Sequence, residues 1–352
     1  MNRLRGPAAT LVLLLLAPAT YGLDVEDVFE PYAQLLERHV VEHDLDSGGL
    51  VSSFDYEAAI AESGSRALIE RQRRDLAELE SVEFDSRDTA LAFWINAYNF
   101  FMIAHIVDNS EDSAPVDSVK DFGSLFNPFR VFGLEVFDVA GEERSLDQME
   151  KEILLGDDFA RRGWKDARVH FAVNCASVGC PPLRATPYTA GNVEGLLEEN
   201  TRRAMLTPLH LRIEGDTAWL TSLFDWYKGD FEEAAGSVEA FVENHVEPTR
   251  AARFEDARRK RIIDYDWQLN SPANIARWLE TTNVGEQYSL DTEARHRATP
   301  GRRLSLGASN LTDRYPDRSG EAKDFFGNFA YDPINPIGIN GRFVYARSEF
   351  IF

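Results

Sequence analysis

The chain has few of the features that mark metal, phosphate or nucleic-acid sites. Its seven histidines are scattered, and no HExxH motif, paired CxxC motif or glycine-rich phosphate loop occurs in the 352 residues. We therefore expect no metal and no cofactor. Basic residues are in the minority, with 37 lysines and arginines against 59 aspartates and glutamates, a formal net charge of −22. This charge repels nucleic acid and anionic headgroups, so we expect no nucleic-acid partner.

Cysteine is scarcer still, because the chain has only two. Both lie in the segment RVHFAVNCASVGCPPLR, Arg168 to Arg184, where Cys175 and Cys180 fall within ten positions of His170. A C-x4-C pair can close into a small disulfide loop or supply a reactive thiolate. The residues leave both alternatives open, and we expect any chemistry of this protein to start here.

The apolar run near the N terminus is too short for a lasting membrane anchor. It extends from Ala8 to Ala17, about half of the 20 residues that a membrane-spanning helix needs. It follows Arg3 and Arg5 and leads into Ala17-Pro18-Ala19, which has the small-x-small form of a signal-peptidase site. We interpret residues 1–22 as a cleaved signal peptide and predict an exported, periplasmic protein with no stable membrane span.

Apolar residues suffice for a large core, since 44% of the chain is hydrophobic and 23 residues are phenylalanine. The segment Thr89 to Val107 is apolar almost all round, and Ser86 can cap it, which predicts a central buried helix. Periodicity and turn residues also predict helices over 25–43, 54–79, 145–155, 192–205, 238–245 and 275–281, strands over 131–137 and 168–173, and a hairpin formed by 209–213 and 218–221.

A cysteine nucleophile attacks as its thiolate and needs a partner that lowers its pKa. His170 is the candidate base for Cys175. On a continuous strand the two side chains would point to opposite faces about 16 Å apart. We therefore expect the chain to turn after the strand predicted over 168–173, as Asn174 and Gly179 favour. The alternative is a buried structural histidine beside an inert or disulfide-bonded cysteine.

Two asparagines on the apolar helix are further candidates. Asn96 and Asn99 share one helix face, and an unpaired buried amide costs about 1 to 3 kcal/mol. They form either a structural network or the polar lining of a site. We choose Asn96 as the group that orients His170 or donates to an oxyanion, and Asn99 as a secondary candidate.

The segment DWYKGDF combines carboxylates with large aromatic residues. Asp225 is the candidate that would orient His170, and Tyr227 and Asp230 are secondary candidates. Aspartates in such surroundings more often cap helices or hold loops. Cys180 is the secondary candidate for the thiol.

Five segments in order resemble the motifs of the domain-of-unknown-function 547 family, over about residues 25–283. They are FWINAYN (93–99), SLDQMEKEIL (145–154), HFAVNCASVGCPPL (170–183), DWYKGDF (225–231) and YDWQLN (265–270). The resemblance implies an α/β (α+β) domain over residues 23–285, with a helical N-terminal half packed on a small, mostly antiparallel sheet. It also implies a fold like that of papain and transglutaminase, with Cys175 and His170 as catalytic candidates.

The C-terminal part resembles a different family. Residues 286–300 are polar and without periodicity, which predicts a linker. Beyond them, LSLGASNLTDRYPD and PIGINGRFVYARSEFIF resemble the last strands of a TonB-dependent outer-membrane receptor. Such barrels have many strands, and roughly 50 residues cannot close one. We interpret residues 301–352 as a fusion scar that does not fold independently, or alternatively as a strand that engages the outer-membrane assembly machinery.

Three functions compete on this sequence. The first is an exported cysteine-dependent hydrolase or acyltransferase that acts on an amide or thioester of a peptide or small molecule. The second is a non-catalytic periplasmic binding or scaffold domain that holds a peptide or another protein. The third is a fusion relic without function.

Overall fold

The computed structural model describes residues 25–110, 114–124, 126–133, 136–282, 292–299, 302–309 and 343–350. The predicted signal peptide lies outside these residues. The described chain is mainly helical, with short strands in small and mostly antiparallel sheets, which confirms the α/β class. The chain divides into two compact units at a boundary between Ile275 and Ala276.

Helices account for most of the first unit. The α-helices of the described residues are α1 (Val25–Val28), α2 (Glu30–His39), α3 (Tyr56–Ala61), α4 (Ser63–Ala77), α5 (Arg87–Asp108), α6 (Arg130–Gly133), α7 (Asp157–Arg162), α8 (Val193–Met205), α9 (Leu223–Trp226), α10 (Lys228–Ala235), α11 (Val238–Asn244), α12 (Pro248–Asp256) and α13 (Pro272–Thr282). Two 3-10 helices, Val119–Phe122 and Ala167–Phe171, and a π-helix, Gln148–Leu154, complete the set.

The strands of this unit form three small sheets. Antiparallel pairs join β1 (Val40–Asp44) with β2 (Leu50–Phe54), β3 (Val136–Val139) with β4 (Glu142–Ser145), and β5 (Leu211–Glu214) with β6 (Thr217–Leu220). The last sheet gains a third strand, β7 (Arg259–Ile262), which pairs in parallel with β6. The hairpin predicted around residues 209–221 is therefore confirmed.

Helix α5 is the centre of the larger core, as its composition predicts. The Ser86 side chain accepts a hydrogen bond from the backbone N–H of Thr89 and so caps the helix. Every residue from Ala90 to Val107 is buried. Among the described residues α5 alone is long and apolar enough to cross a membrane, and its whole apolar window is buried inside the protein.

A second, smaller core contains mainly phenylalanines. Phe171, Phe224, Phe231 and Phe241 pack in it with ring centroids between 4.6 and 6.2 Å apart. The 3-10 helix Ala167–Phe171 contributes side chains to both cores, because Val169 lies in the larger one and Phe171 in the smaller. His170 is thereby fixed between them.

The strand predicted over 168–173 is wrong, because this segment forms the 3-10 helix Ala167–Phe171. Asp166 starts it, since its side chain accepts a hydrogen bond from the backbone N–H of Arg168 at 2.9 Å. A short apolar run that is buried on all sides has the same composition in either conformation, so composition alone does not distinguish a strand from a helix. The helix predicted over 25–43 is also too long, because Val40–Asp44 pairs as strand β1.

The C-terminal unit contains a three-stranded antiparallel sheet in the order β10-β9-β8. Its strands are β8 (Thr292–Thr299), β9 (Arg302–Ser309) and β10 (Phe343–Phe350). Part of the predicted linker is therefore a strand, because β8 pairs along β9. Residues 310–342, between β9 and β10, lie outside the described residues.

Candidate functional site

A bend directly after the 3-10 helix brings the cysteines to the same cleft as His170. Helix α5 holds this bend through Asn99, whose side chain donates to the carbonyl of Ala172 at 3.0 Å and accepts from the N–H of Asn174 at 2.7 Å. Asn174 in turn accepts from the N–H of Ala176 and donates to the carbonyl of Pro181. The predicted turn is therefore present, and Asn99 belongs to the structural network that fixes it.

Asn96 serves a different segment. Its side chain donates to the carbonyl of Tyr188 at 2.7 Å and accepts from the N–H of the same residue at 2.9 Å. This pair of hydrogen bonds ties the loop before α8 to the central helix. Asn96 does not line the cleft and does not orient His170, contrary to the role chosen for it from the sequence.

The two cysteines are joined in a disulfide, with Cα atoms 6.1 Å apart. Cys175 is partly exposed, whereas Cys180 is only 6% exposed. The sequence left a disulfide and a free thiolate as alternatives, and the structure contains the disulfide. In this form Cys175 is not a nucleophile, because its sulfur has no thiolate.

His170 lies at the floor of the cleft between two carboxylates. Its Nε2 is 2.9 Å from Asp230 Oδ2, and its Nδ1 is 3.3 Å from Glu150 Oε1, an ion pair that falls short of an aligned hydrogen bond. The ring is fully buried and stacks on Tyr227 with centroids 3.9 Å apart. Both nitrogens therefore face an acceptor, which favours the doubly protonated imidazolium.

The electrostatics agree with this geometry. Burial alone would lower the pKa of His170, but the interactions with Asp230 and Glu150 outweigh burial and raise that pKa above its usual value. Burial would raise the pKa of Asp230, yet His170 and Lys165 lower it overall. Lys165 Nζ lies 2.8 Å from Asp230 Oδ1, so one aspartate joins two cations.

The carboxylates that hold His170 differ from the one predicted. Asp225 is exposed and does not contact the ring, so its predicted orienting role is wrong. Asp230, a secondary candidate from the same segment, takes that role. Tyr227 is half-buried and hydrogen-bonded with Glu150, and burial together with this carboxylate raises the pKa of its phenol.

Sequence reasoning missed Glu150 and Tyr265. Glu150 lies on the π-helix that follows the capping box of Ser145 and Gln148, a box whose two hydrogen bonds are both present. Tyr265 places its hydroxyl 3.1 Å from Cys175 Sγ and 3.3 Å from Cys180 Sγ. Both residues occur in segments that resemble family motifs, but only the fold shows what they contact.

The cleft has a volume of about 510 Å³ and an aromatic wall. Trp226, Tyr265 and Trp267 form this wall, with ring centroids 4.6 to 5.6 Å apart, and Trp226 is 46% exposed. Lys151 and Asp147, 2.6 Å apart as an ion pair, also line the cleft. Within the described part of the chain no cluster of histidine, cysteine, aspartate or glutamate is arranged to hold a metal.

Comparison with known proteins gives one match. No curated protein and no solved structure matches the chain. Residues 82–203 match the family model described as "Protein of unknown function, DUF547". The matched segment contains Glu150, His170 and the disulfide, whereas Asp230, Tyr227 and Tyr265 lie beyond it. The resemblance to the DUF547 family is thus confirmed over residues 82–203.

Proposed function

We propose that this protein is a binding domain, and not a thiol hydrolase, whose cleft holds an extended peptide segment. One observation carries the proposal: the groups that could serve as thiol nucleophile and general base are already engaged, while the aromatic wall is open. His170 faces a carboxylate at each nitrogen, and the cysteine sulfurs are bonded to each other. The indole of Trp226, by contrast, is 46% exposed.

The cleft has the size and chemistry for a few peptide residues. Binding sites of roughly 300 to 1,000 Å³ with apolar walls and few polar groups are typical for ligands of this size. An apolar or aromatic side chain of the peptide would stack on Trp226 and Tyr265. The ion pair of Lys151 and Asp147 offers a donor and an acceptor for peptide amides.

Export and a periplasmic location are part of this proposal. The N-terminal segment has the pattern of a signal peptide, and disulfides are typical of exported proteins. The disulfide would therefore be the stable form of this pair where the protein acts. A peptide-binding domain in that compartment needs no thiol to function.

Binding can be tested with N-acetylated, C-amidated pentapeptides that carry a central Phe, Leu or Ala. We expect the Phe peptide to quench tryptophan fluorescence most and the Ala peptide least. Trp226→Ala should weaken binding of the Phe peptide about ten-fold or more, as removal of a central aromatic anchor does. Trp164→Ala, in a separate cavity, is the matched control. Equal affinity for the three peptides, or an equal loss in both variants, would contradict the proposal.

A thiol hydrolase or acyltransferase is the second candidate, and it applies to the reduced protein. Cys175 and His170 line the same cleft, which favours it. His170 would act as a fixed cation beside the thiolate, since both of its nitrogens are engaged. If this candidate holds, reduced protein should react with iodoacetamide faster than a free thiol, and His170→Gln should remove the difference. Labelling at the rate of a free thiol would exclude it.

We further propose that residues 301–352 are a receptor-like fragment that the first unit does not need. The resemblance of this segment to the last strands of a TonB-dependent receptor supports the idea. Deletion of residues 302–352 should leave the thermal unfolding of the first unit unchanged. A large fall in the melting temperature would reject the scar interpretation.

A further inference from the structure

The surroundings of the two bonded sulfurs are unequal. Cys180 Sγ accepts hydrogen bonds from the backbone N–H of Cys175 at 3.0 Å and of Ser177 at 3.4 Å, and from the Tyr265 hydroxyl at 3.3 Å. In the described part of the chain the Cys175 sulfur contacts one donor, the same Tyr265 hydroxyl, at 3.1 Å. Cys175 is also the more exposed of the pair.

We infer that the disulfide is redox-active and oxidises a peptide dithiol, with Cys175 as the sulfur attacked and Cys180 as the leaving thiolate. In thiol–disulfide exchange the more acidic thiol leaves faster. Donors aimed at a sulfur stabilise its anion far more than its bonded form, because hydrogen bonds to charged acceptors are the stronger ones. The two backbone donors at Cys180 therefore select the direction of cleavage, because the Tyr265 hydroxyl contacts both sulfurs.

The reaction balances within the two partners. A substrate thiolate attacks Cys175 Sγ, the bond between the cysteine sulfurs breaks, and its electron pair leaves on Cys180. The second substrate thiolate then attacks the substrate sulfur of the mixed disulfide and releases Cys175 as a thiolate. The substrate dithiol loses two electrons and becomes a disulfide. The protein disulfide gains them, and the two protons pass to the cysteines.

The loop between Cys175 and Cys180 is held by backbone contacts, which keep the donors to Cys180 in place when the disulfide bond breaks. Val178 and Gly179 donate backbone hydrogen bonds to the carbonyls of Gln268 and Asp266 at 2.8 and 2.9 Å. A side chain at Gly179 would lie 3.0 Å from the backbone of Asp266, so the two segments are in close contact. Ala176 has a φ of 61°, in the left-handed region, which is unfavourable for a residue that has a side chain. The surrounding contacts maintain this conformation.

This inference goes beyond peptide binding but places the dithiol in the same cleft. Its test therefore uses glutathione, a small thiol that does not depend on the aromatic wall. Oxidised protein is mixed with reduced glutathione, quenched in acid, alkylated and mapped by mass spectrometry. We expect glutathione on Cys175 at least about ten-fold more often than on Cys180. An even distribution, or an excess on Cys180, would overturn the inference.

Thiolate absorbance gives a second measurement. We expect Cys180 in the Cys175→Ser variant to be ionised about ten-fold more at neutral pH than Cys175 in the Cys180→Ser variant. Tyr265→Phe in both single-cysteine variants should preserve that difference, since its hydroxyl contacts both sulfurs and the two backbone donors to Cys180 remain. A synthetic oxidised peptide of residues 174–181 is the unfolded control for the glutathione experiment. Glutathione should attach to its two cysteines equally often. Equal ionisation of the two cysteines in the folded variants would contradict the assignment.

The two proposals fail in different ways. If glutathione attaches to Cys175 but the Phe pentapeptide does not bind, the disulfide inference is supported and the peptide-binding proposal is rejected. If the pentapeptide binds and glutathione shows no selectivity, the disulfide is structural and binding is the function.

Discussion

One buried histidine belongs to the 3-10 helix Ala167–Phe171 and a second packs against it, and their environments favour different protonation states. His170 belongs to this helix and faces Asp230 and Glu150, so its pKa is raised despite burial. His210 packs edge-on against Phe171, with ring centroids 6.1 Å apart. Burial lowers the pKa of His210 to about 3, against a smaller opposing effect of a hydrogen bond with the backbone of Cys180.

The difference shows that burial alone does not determine the protonation state of a histidine ring. Both histidine residues are 1% exposed. Among the residues that the structure describes, no carboxylate pairs with the His210 ring, so burial keeps that ring neutral. Two carboxylates around His170 compensate the cost of removing a cation from water, which is large when no partner is present. The same polypeptide thus places a fixed cation at the cleft and a neutral ring in the core.

The largest expected effect is acid destabilisation by His210. Because its folded pKa is depressed, the unfolded chain binds the extra proton below about pH 6.5, and stability is lost as the pH falls. Between pH 6.5 and 4 the loss should be about 3 kcal/mol, at roughly 1.4 kcal/mol per pH unit. His210→Phe should flatten this part of the stability curve measured in urea.

The control for that experiment is Phe224→Leu, which changes packing in the smaller core but removes no titratable group. It should leave the acid slope as in the wild type. An unchanged slope in His210→Phe would show that the ring is charged in the folded protein, and the contrast with His170 would disappear.

The second effect, of about the same size, follows from removing one of the two carboxylates next to His170. Glu150→Gln leaves a buried imidazolium with one anionic partner instead of two. We expect the free energy of unfolding to fall by about 3 kcal/mol, as for a broken buried ion pair. Glu152→Gln, two positions along and exposed, should change it little. Equal effects of the two substitutions would mean that His170 is neutral.

The third effect appears on the alkaline side. The raised pKa of His170 contributes stability that is fully present below about pH 6.5 and is lost as the pH rises through the folded pKa. Asp230→Asn should lower the pKa of His170 and shift this loss to lower pH. Asp230→Asn should lower the free energy of unfolding less than Glu150→Gln does, since the Asp230 side chain is 22% exposed and also pairs with Lys165. NMR titration of the His170 ring measures the shift.

Local features of the fold could be predicted from the sequence, and long-range partners could not. Ser86 as the cap of α5 and the capping box of Ser145 and Gln148 depend on residues three positions apart, so the sequence contains the whole interaction. The conformation of 168–173 depends on burial from two cores. The short apolar run in the sequence does not reveal that its residues are shared between two cores.

The site was predictable by segment rather than by residue. The sequence selected the segment with His170 and both cysteines, and the structure places all three at one cleft. It chose Asp225 where Asp230 pairs with the ring, because the break between α9 and α10 at Tyr227 determines which carboxylate turns inward. Glu150 lies twenty positions before His170, and no short spacing predicts that contact.

The most direct test of the account is the protonation state of His170 in the oxidised protein at pH 7.5, measured by nitrogen NMR of selectively labelled histidine. The account predicts an imidazolium with both nitrogens protonated, while His210 is a neutral ring under the same conditions. A neutral His170 with one unprotonated nitrogen would contradict it, because the cleft would then contain a free base and the binding proposal would lose its main support.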